Sequence, residues 1–172
     1  MKWYRALLHG FIILKMTSKQ VAEQWLSINK ELDGNIIELV TLFVRFGTSL
    51  SDARTHFCKK HGLNPSEFDV LATLYRSGEP YELTAKALKE QTLLPSSGAL
   101  SNRLERLEAK DLVVRKHDLV DKRSVKISLS KQGLGLVAAM GPQFFGEMAT
   151  LFEALPDEQR QSLLSLMSSL QS

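Results

Sequence analysis

A chain of 172 residues, 44% apolar and 24% charged, has the composition of a globular protein of one domain, or of one domain with extensions. Its formal net charge of +3 is too small to announce a nucleic-acid partner, so the distribution of charge matters more than the sum. The single cysteine, Cys58, excludes an intrachain disulfide and fits a reducing cytoplasm.

The opening "MKWYRALLHGFIILKM" carries basic residues and a short apolar run, Leu7 to Leu14, broken by His9 and Gly10. The run is too short to span a membrane. "ILKMTSKQ" is also a poor signal-peptide cleavage site. Residues 1–15 therefore stand apart as an N-terminal extension, with Met16 a candidate initiator. "SKQVAEQWLSINKELD" reads as a mixed helical segment carrying Trp25. The next segment, from "NIIELVTLFVRFG" onward, is apolar nearly all round through Ile36, Leu39, Val40, Phe43 and Phe46. That pattern predicts a helix buried on more than one side. "LNPSEFDVLATLYRSG" is strongly signalled: Asn64 caps, Pro65 opens the helix and Glu67 completes a capping box. Phe68, Leu71, Leu74 and Tyr75 form its apolar stripe, and Gly78 stops it.

A short helix, "LTAKALKEQ", has Thr84 as its cap. A second follows in "PSSGALSNRLERLEAKD", with Leu100, Leu104 and Leu107 spaced i, i+4, i+7. Opposite those leucines lie Gly98, Asn102, Glu105 and Arg106. "LVVRK" and "SVKISLS" read as two alternating strands. They are joined by "DLVDKRSV", too long and too charged for an ordinary hairpin turn, which would use Asn-Gly or Asp-Gly. Ser130 caps a long helix in which Pro142 is expected to bend or break the ladder. "PDEQRQSLLSLMSSL" is a last helix with acids in its first turn.

Two short helices followed by a hairpin have helix-turn-helix length and spacing. The second helix suits the major groove. Ser96, Ser97, Ser101 and Asn102 are short hydrogen-bonding groups, Gly98 permits close approach, and Arg103 and Arg106 reach phosphate or guanine. Residues 103–131 hold nine Lys or Arg against five Asp or Glu, a local excess larger than the +3 of the whole chain. An amphipathic helix with a merely solvated polar face is the plain alternative, which the hairpin that follows makes the weaker one.

With "FDVLATL", "LPSSGALSNRLERLEAKDLVVR", the D-K-R-S of Asp121 to Ser124 and "ISLSKQG", residues 35–170 resemble the MarR family of winged helix-turn-helix regulators. The resemblance implies a mainly α fold with a small β-hairpin (α+β), in which a winged helix-turn-helix domain is flanked by N- and C-terminal dimerisation helices. The implied parts are an extension at 1–15, dimerisation helices at 16–62, a DNA-binding domain at 63–130 and further dimerisation helices at 131–172. It implies a cytoplasmic, ligand-responsive repressor that binds a pseudo-palindromic double-stranded DNA operator as a homodimer. Lys122 and Arg123 would contact DNA from the wing, with Arg123 in the minor groove. Asp121 would orient an arginine, since phosphate repels a carboxylate.

The urate-responsive subgroup of that family uses a Trp, an Asp and two Arg as a ligand set. Trp25, Asp69, Arg103 and Arg115 are the candidates here. Arginines would neutralise a small aromatic or anionic effector such as urate or a phenolic acid, and Asp69 would accept its ring N–H groups. The alternatives stay open: Trp25 in dimer packing, Asp69 bonded to a local arginine, Arg103 and Arg115 on DNA. Cys58 suggests a redox-sensing regulator, its pKa lowered by Lys59, Lys60 and His61, against the alternative of an inert buried thiol. His56 does not share a helix face with Cys58 and His61, so no metal site is expected. No cofactor is expected, and no enzyme: G-x-S-x-G, Walker and H-E-x-x-H motifs are all missing from the sequence. A winged-helix protein–protein adaptor is the remaining alternative. It would not need Ser, Asn and Arg together on one helix face.

Overall fold

Five helices start in the same way. Thr17, Asn64, Thr84, Ser96 and Ser130 each turn a side-chain oxygen onto the backbone N–H three residues ahead. That bond satisfies one of the donors a helix leaves orphaned at its start. The computed structural model describes residues 16–92, 96–117 and 125–170. In chain order these form α1 (Ser18–Ile28), α2 (Gly34–Lys60), α3 (Pro65–Arg76), β1 (Glu82–Thr84), α4 (Ala85–Gln91), α5 (Ser97–Glu108), β2 (Val113–His117), β3 (Val125–Leu129), α6 (Lys131–Ala149), a 3-10 turn (Thr150–Phe152) and α7 (Asp157–Ser169). The fold is thus mainly helical with one small antiparallel sheet. No helix among the described residues is long and apolar enough to cross a membrane.

The chain divides after Asp52 into two compact units. In the first, Thr17 and Gln20 form a reciprocal capping box at the start of α1. Arg45 donates to the Met16 carbonyl, tying α2 back to that start. Ala22 is buried, but Ile36, Leu39, Val40, Leu42, Phe43, Val44 and Phe46 of α2 are 39–56% exposed. The expectation that this helix is buried on more than one side is therefore not met within a single chain. Its composition is that of a core helix, and its surroundings here are not.

The second unit holds a continuous core of Phe57, Leu71, Leu74, Leu88, Leu104, Leu107, Ile127 and Met140, each at most 3% exposed. Phe57, Phe68 and Phe144 pack as an aromatic triad, with ring centroids 5.0–6.2 Å apart. The predicted α3 stripe is buried at Phe68, Leu71 and Leu74, whereas Tyr75 is exposed and stacks on Tyr81. Its capping box is present as expected, and its end is marked by Gly78 at φ +77°.

Two features differ from the sequence reading. The sheet has a third strand, β1, which pairs with β3 to give the order β1-β3-β2. Three residues are too few to display an alternating pattern, so "ELT" left no signal. Pro142 does not break α6, which continues to Ala149. A proline removes one rung of the ladder, and the remaining rungs carry the helix past it.

Candidate nucleic-acid interface

The helix α5 has two chemically distinct faces. Leu100, Leu104 and Leu107 are 0–4% exposed and pack into the core. Gly98, Asn102, Glu105 and Arg106 are exposed along the opposite side, spaced i, i+4, i+7, i+8. Ser97 is exposed at the first helical position, and Ser101 and Arg103 are half-buried at the edges of the stripe. Packing therefore fixes the helix by its leucines and leaves a row of backbone, amide and guanidinium groups outward.

The N-terminal end of α5 is set up for an anion. Ser96 accepts the Ala99 N–H at 3.1 Å and keeps its own O–H to donate. The first N–H groups of the helix have no intrahelical partner and carry the positive end of the helix dipole. Gly98 is informative here. A Cβ added there would meet only the Ser96 hydroxyl, at 3.9 Å. Among the described residues nothing requires a glycine at this position.

The basic excess noted in the sequence is partly internal. Lys110 pairs with Glu67 at 2.9 Å and Lys126 with Glu82 at 3.3 Å. Arg115 Nε lies 2.6 Å from Glu108 Oε2, an electrostatic contact without hydrogen-bond alignment, and Arg115 Nη2 donates to the Ser101 carbonyl at 3.4 Å. Arg115 thus braces β2 against α5. Arg106 is exposed on the polar stripe, and Arg103 sits half-buried with its Nε shielded and unpartnered.

Beside α5 an open groove of about 560 Å³ runs between α4, α5 and the sheet. Leu100, Leu104 and Ile127 line it with apolar surface, Lys86, Lys89 and Arg115 with positive charge and Glu90 with negative charge. Lys86 and Lys89 escaped the sequence reading. Their i, i+3 spacing on a short helix was the available signal.

Two residues of the candidate ligand set have partners inside the second unit: Asp69 with Arg54, and Arg115 with Glu108 and the Ser101 carbonyl. Trp25 is 42% exposed on α1, in the first unit. Asp69 is engaged by Arg54, whose guanidinium also reaches the Pro65 carbonyl at 3.4 Å. Of the alternatives raised for Asp69, a local arginine partner is the one observed. Asp121, Lys122 and Arg123 lie outside the described residues.

Cys58 is fully buried. Burial pushes its thiol up to about 11, and Asp69 and Glu67 add to the rise while Arg54 opposes it. The expected lowering by Lys59, Lys60 and His61 is not what operates. Lys60 reaches Glu147, and His61 packs against Phe57 with the rings tilted, 4.7 Å between centroids. A thiol that is protonated at neutral pH and sealed from solvent lacks the two properties a sensing cysteine needs. Among the described residues no group of three or more His, Cys, Asp or Glu is placed to hold a metal ion.

A helix-turn-helix with a leucine-anchored second helix, followed by a sheet hairpin, defines a winged-helix domain. The sequence model of the MarR family matches residues 61–124. YkoM of Bacillus subtilis (strain 168), an HTH-type transcriptional regulator, is 34% identical over 142 residues, covering 82% of this chain and 90% of that protein. The chain belongs to the MarR family of DNA-binding transcription regulators. The fold matches a MarR mutant from E. coli complexed with operator DNA, with TM-score 0.67, 23% identity and coverage of 81% of this chain and 98% of that one. It also matches Bordetella bronchiseptica BpsR, whose DNA binding is regulated by 6-hydroxynicotinic acid. There the TM-score is 0.66, with 21% identity and coverage of 78% of this chain and 99% of that one.

Proposed function

We propose that the protein is a sequence-specific repressor that binds a pseudo-palindromic operator as a homodimer and releases it when a small effector binds. The observation that carries this reading is the division of α5 into a buried leucine face and an exposed Gly98, Asn102, Arg106 stripe. Asn102 reads base edges, Arg106 grips phosphate or guanine, and the Ser96–Gly98 end meets the backbone. Arg123 and Lys122 extend the contact from the wing, with Asp121 holding an arginine. In a salt series from 50 to 200 mM with a duplex selected from a random library, affinity falls steeply as counterions are released. A winged-helix adaptor would retain no duplex. Arg123→Ala weakens binding and leaves the protein folded; unchanged affinity refutes the wing assignment.

The exposed apolar residues of α2 support the homodimer, and so, separately, do Leu164 and Leu166 of α7 and Leu170 just after it. A second copy covering them would complete a core that one chain leaves open. Residues 16–62 and 131–172 are then the dimerisation helices and 63–130 the DNA-binding domain of a cytoplasmic protein. Phe43→Asp places a charge in that seam and yields monomers by sedimentation; a wild-type monomer at micromolar concentration contradicts the seam.

The effector reading rests on the groove beside α5, where Lys86, Lys89 and Arg115, the last already engaged by Glu108, outnumber Glu90 around apolar surface. That chemistry suits a small aromatic anion, urate and phenolic acids among them. An occupant would sit against the helix that reads DNA. The regulation of BpsR by an aromatic acid agrees with this class of ligand. Calorimetry with urate, xanthine and phenolic acids tests it: heats lost on Arg115→Ala support the groove, and no heat with any of them removes the reading.

A further inference from the structure

The C-terminal end of α5 is held from two sides. Glu67, at the start of α3, is a carboxylate only 2% exposed. Its Oε2 accepts from the Asn64 N–H at 3.0 Å and from Lys110 Nζ at 2.9 Å. The same ammonium donates to the Gly62 carbonyl at 2.9 Å. Lys110 therefore ties the residues just after α5 to the α2–α3 corner with two charge-assisted bonds, one to a buried carboxylate. On the other side Ser130 Oγ donates to the Asp111 carbonyl at 2.5 Å, and the Ser130 N–H donates to the Leu112 carbonyl at 3.1 Å. A Cβ at Gly133 would lie 1.9 Å from that Leu112 oxygen, so α6 is pressed directly against the same stretch. Asp111 itself sits at φ +55°. Three consecutive residues, Lys110 to Leu112, are thus gripped from two sides.

We propose that Lys110 is a positioning residue for DNA recognition. It acts through Glu67 and the Gly62 carbonyl to set the pose of α5, so that the exposed stripe meets base edges in register, and it makes no essential contact with phosphate. This rests on α5 being the reading helix. A lever pinned at one end delivers at the other only the accuracy of the pin, and base-edge bonds tolerate errors of a fraction of an ångström. Non-specific binding, which depends on charge near the backbone, is far more tolerant. The position of Lys110 within a basic stretch disguises this role, because its charge is already engaged by Glu67.

The test uses the full-length protein, the duplex recovered by selection from a random library, and a scrambled duplex of the same composition. Lys110→Met lowers the affinity ratio between the two duplexes by about tenfold, leaving scrambled-duplex affinity and the salt slope unchanged. Glu67→Gln, which cannot alter a phosphate contact, lowers the ratio in the same direction. Lys110→Arg restores it. The double variant is no worse than Lys110→Met alone, because both remove one linkage. Urea midpoints establish that each variant is folded at the assay temperature, and Glu67→Gln carries the test if Lys110→Met does not fold. Equal loss on both duplexes with a salt slope reduced by about one overturns the proposal in favour of a phosphate contact. An unchanged ratio in folded Glu67→Gln overturns it in favour of a purely structural pair. A wild-type protein that does not distinguish the duplexes overturns it together with the reading of α5 itself.

Discussion

The two ends of α5 are opposites. The C-terminal end is enclosed: Lys110, Asp111 and Leu112 bond to the α2–α3 corner and to the start of α6, and Gly133 is a glycine because a carbonyl leaves no room for a Cβ. Among the described residues the N-terminal end is less crowded: Ser96 caps it, a Cβ at Gly98 would meet only the Ser96 hydroxyl, and a groove runs along its side. A glycine crowded by its own fold and one that is not have different reasons to exist. The first serves packing. The second fits close approach by something outside the chain. The contrast agrees with the proposal that one end anchors and the other reads.

Substitutions can break that contrast. The largest effect is expected at Gly133→Ala, where overpacking against the Leu112 backbone destabilises by about 1–3 kcal/mol, read as a lowered urea midpoint. Ser96→Ala comes next. Losing the cap costs about 1 kcal/mol of stability and also weakens duplex binding, since one hydroxyl serves both purposes. Gly98→Ala should show the reverse sign in stability, a gain of up to about 0.5–1 kcal/mol, yet weaken duplex binding because the methyl group stands in the approach path. If Gly98→Ala left binding intact, the N-terminal end would lose its assignment as the reader. The smallest effect concerns Cys58. With its folded pKa raised to about 11 from 9.0, the thiol favours folding below pH 9, and that contribution is lost as pH rises through about 11. At pH 7 the native thiol should be silent to a disulfide reagent and react only on unfolding in urea.

Much of this molecule was legible because its signals are local. The Asn64, Pro65, Glu67 signature of α3, the Ser130 cap and the i, i+4, i+7 leucines of α5 need no knowledge of the rest of the chain, and each lies where its pattern places it. What escaped is long-range. Glu67 reads as a capping residue, which it is, but its bond to Lys110 spans 43 residues and has no sequence signature. Arg115 and Asp69 have the right charges for a ligand, yet Glu108 and Arg54 engage them first. Residue type reveals charge and hides its partner. The apolar first half of α2 misled for a related reason: composition tells that a surface should be covered, and only an assembly tells by what.

The most direct measurement of the central claim is selection of binding sites from a random duplex library by the wild-type protein and by Asn102→Ala. The account predicts a twofold-symmetric wild-type motif with half-sites about 10 base pairs apart. It predicts that Asn102→Ala selects the same motif with base preference relaxed at one symmetric pair of positions. An Asn102→Ala motif identical to the wild-type one, or a wild-type motif without twofold symmetry, would contradict it.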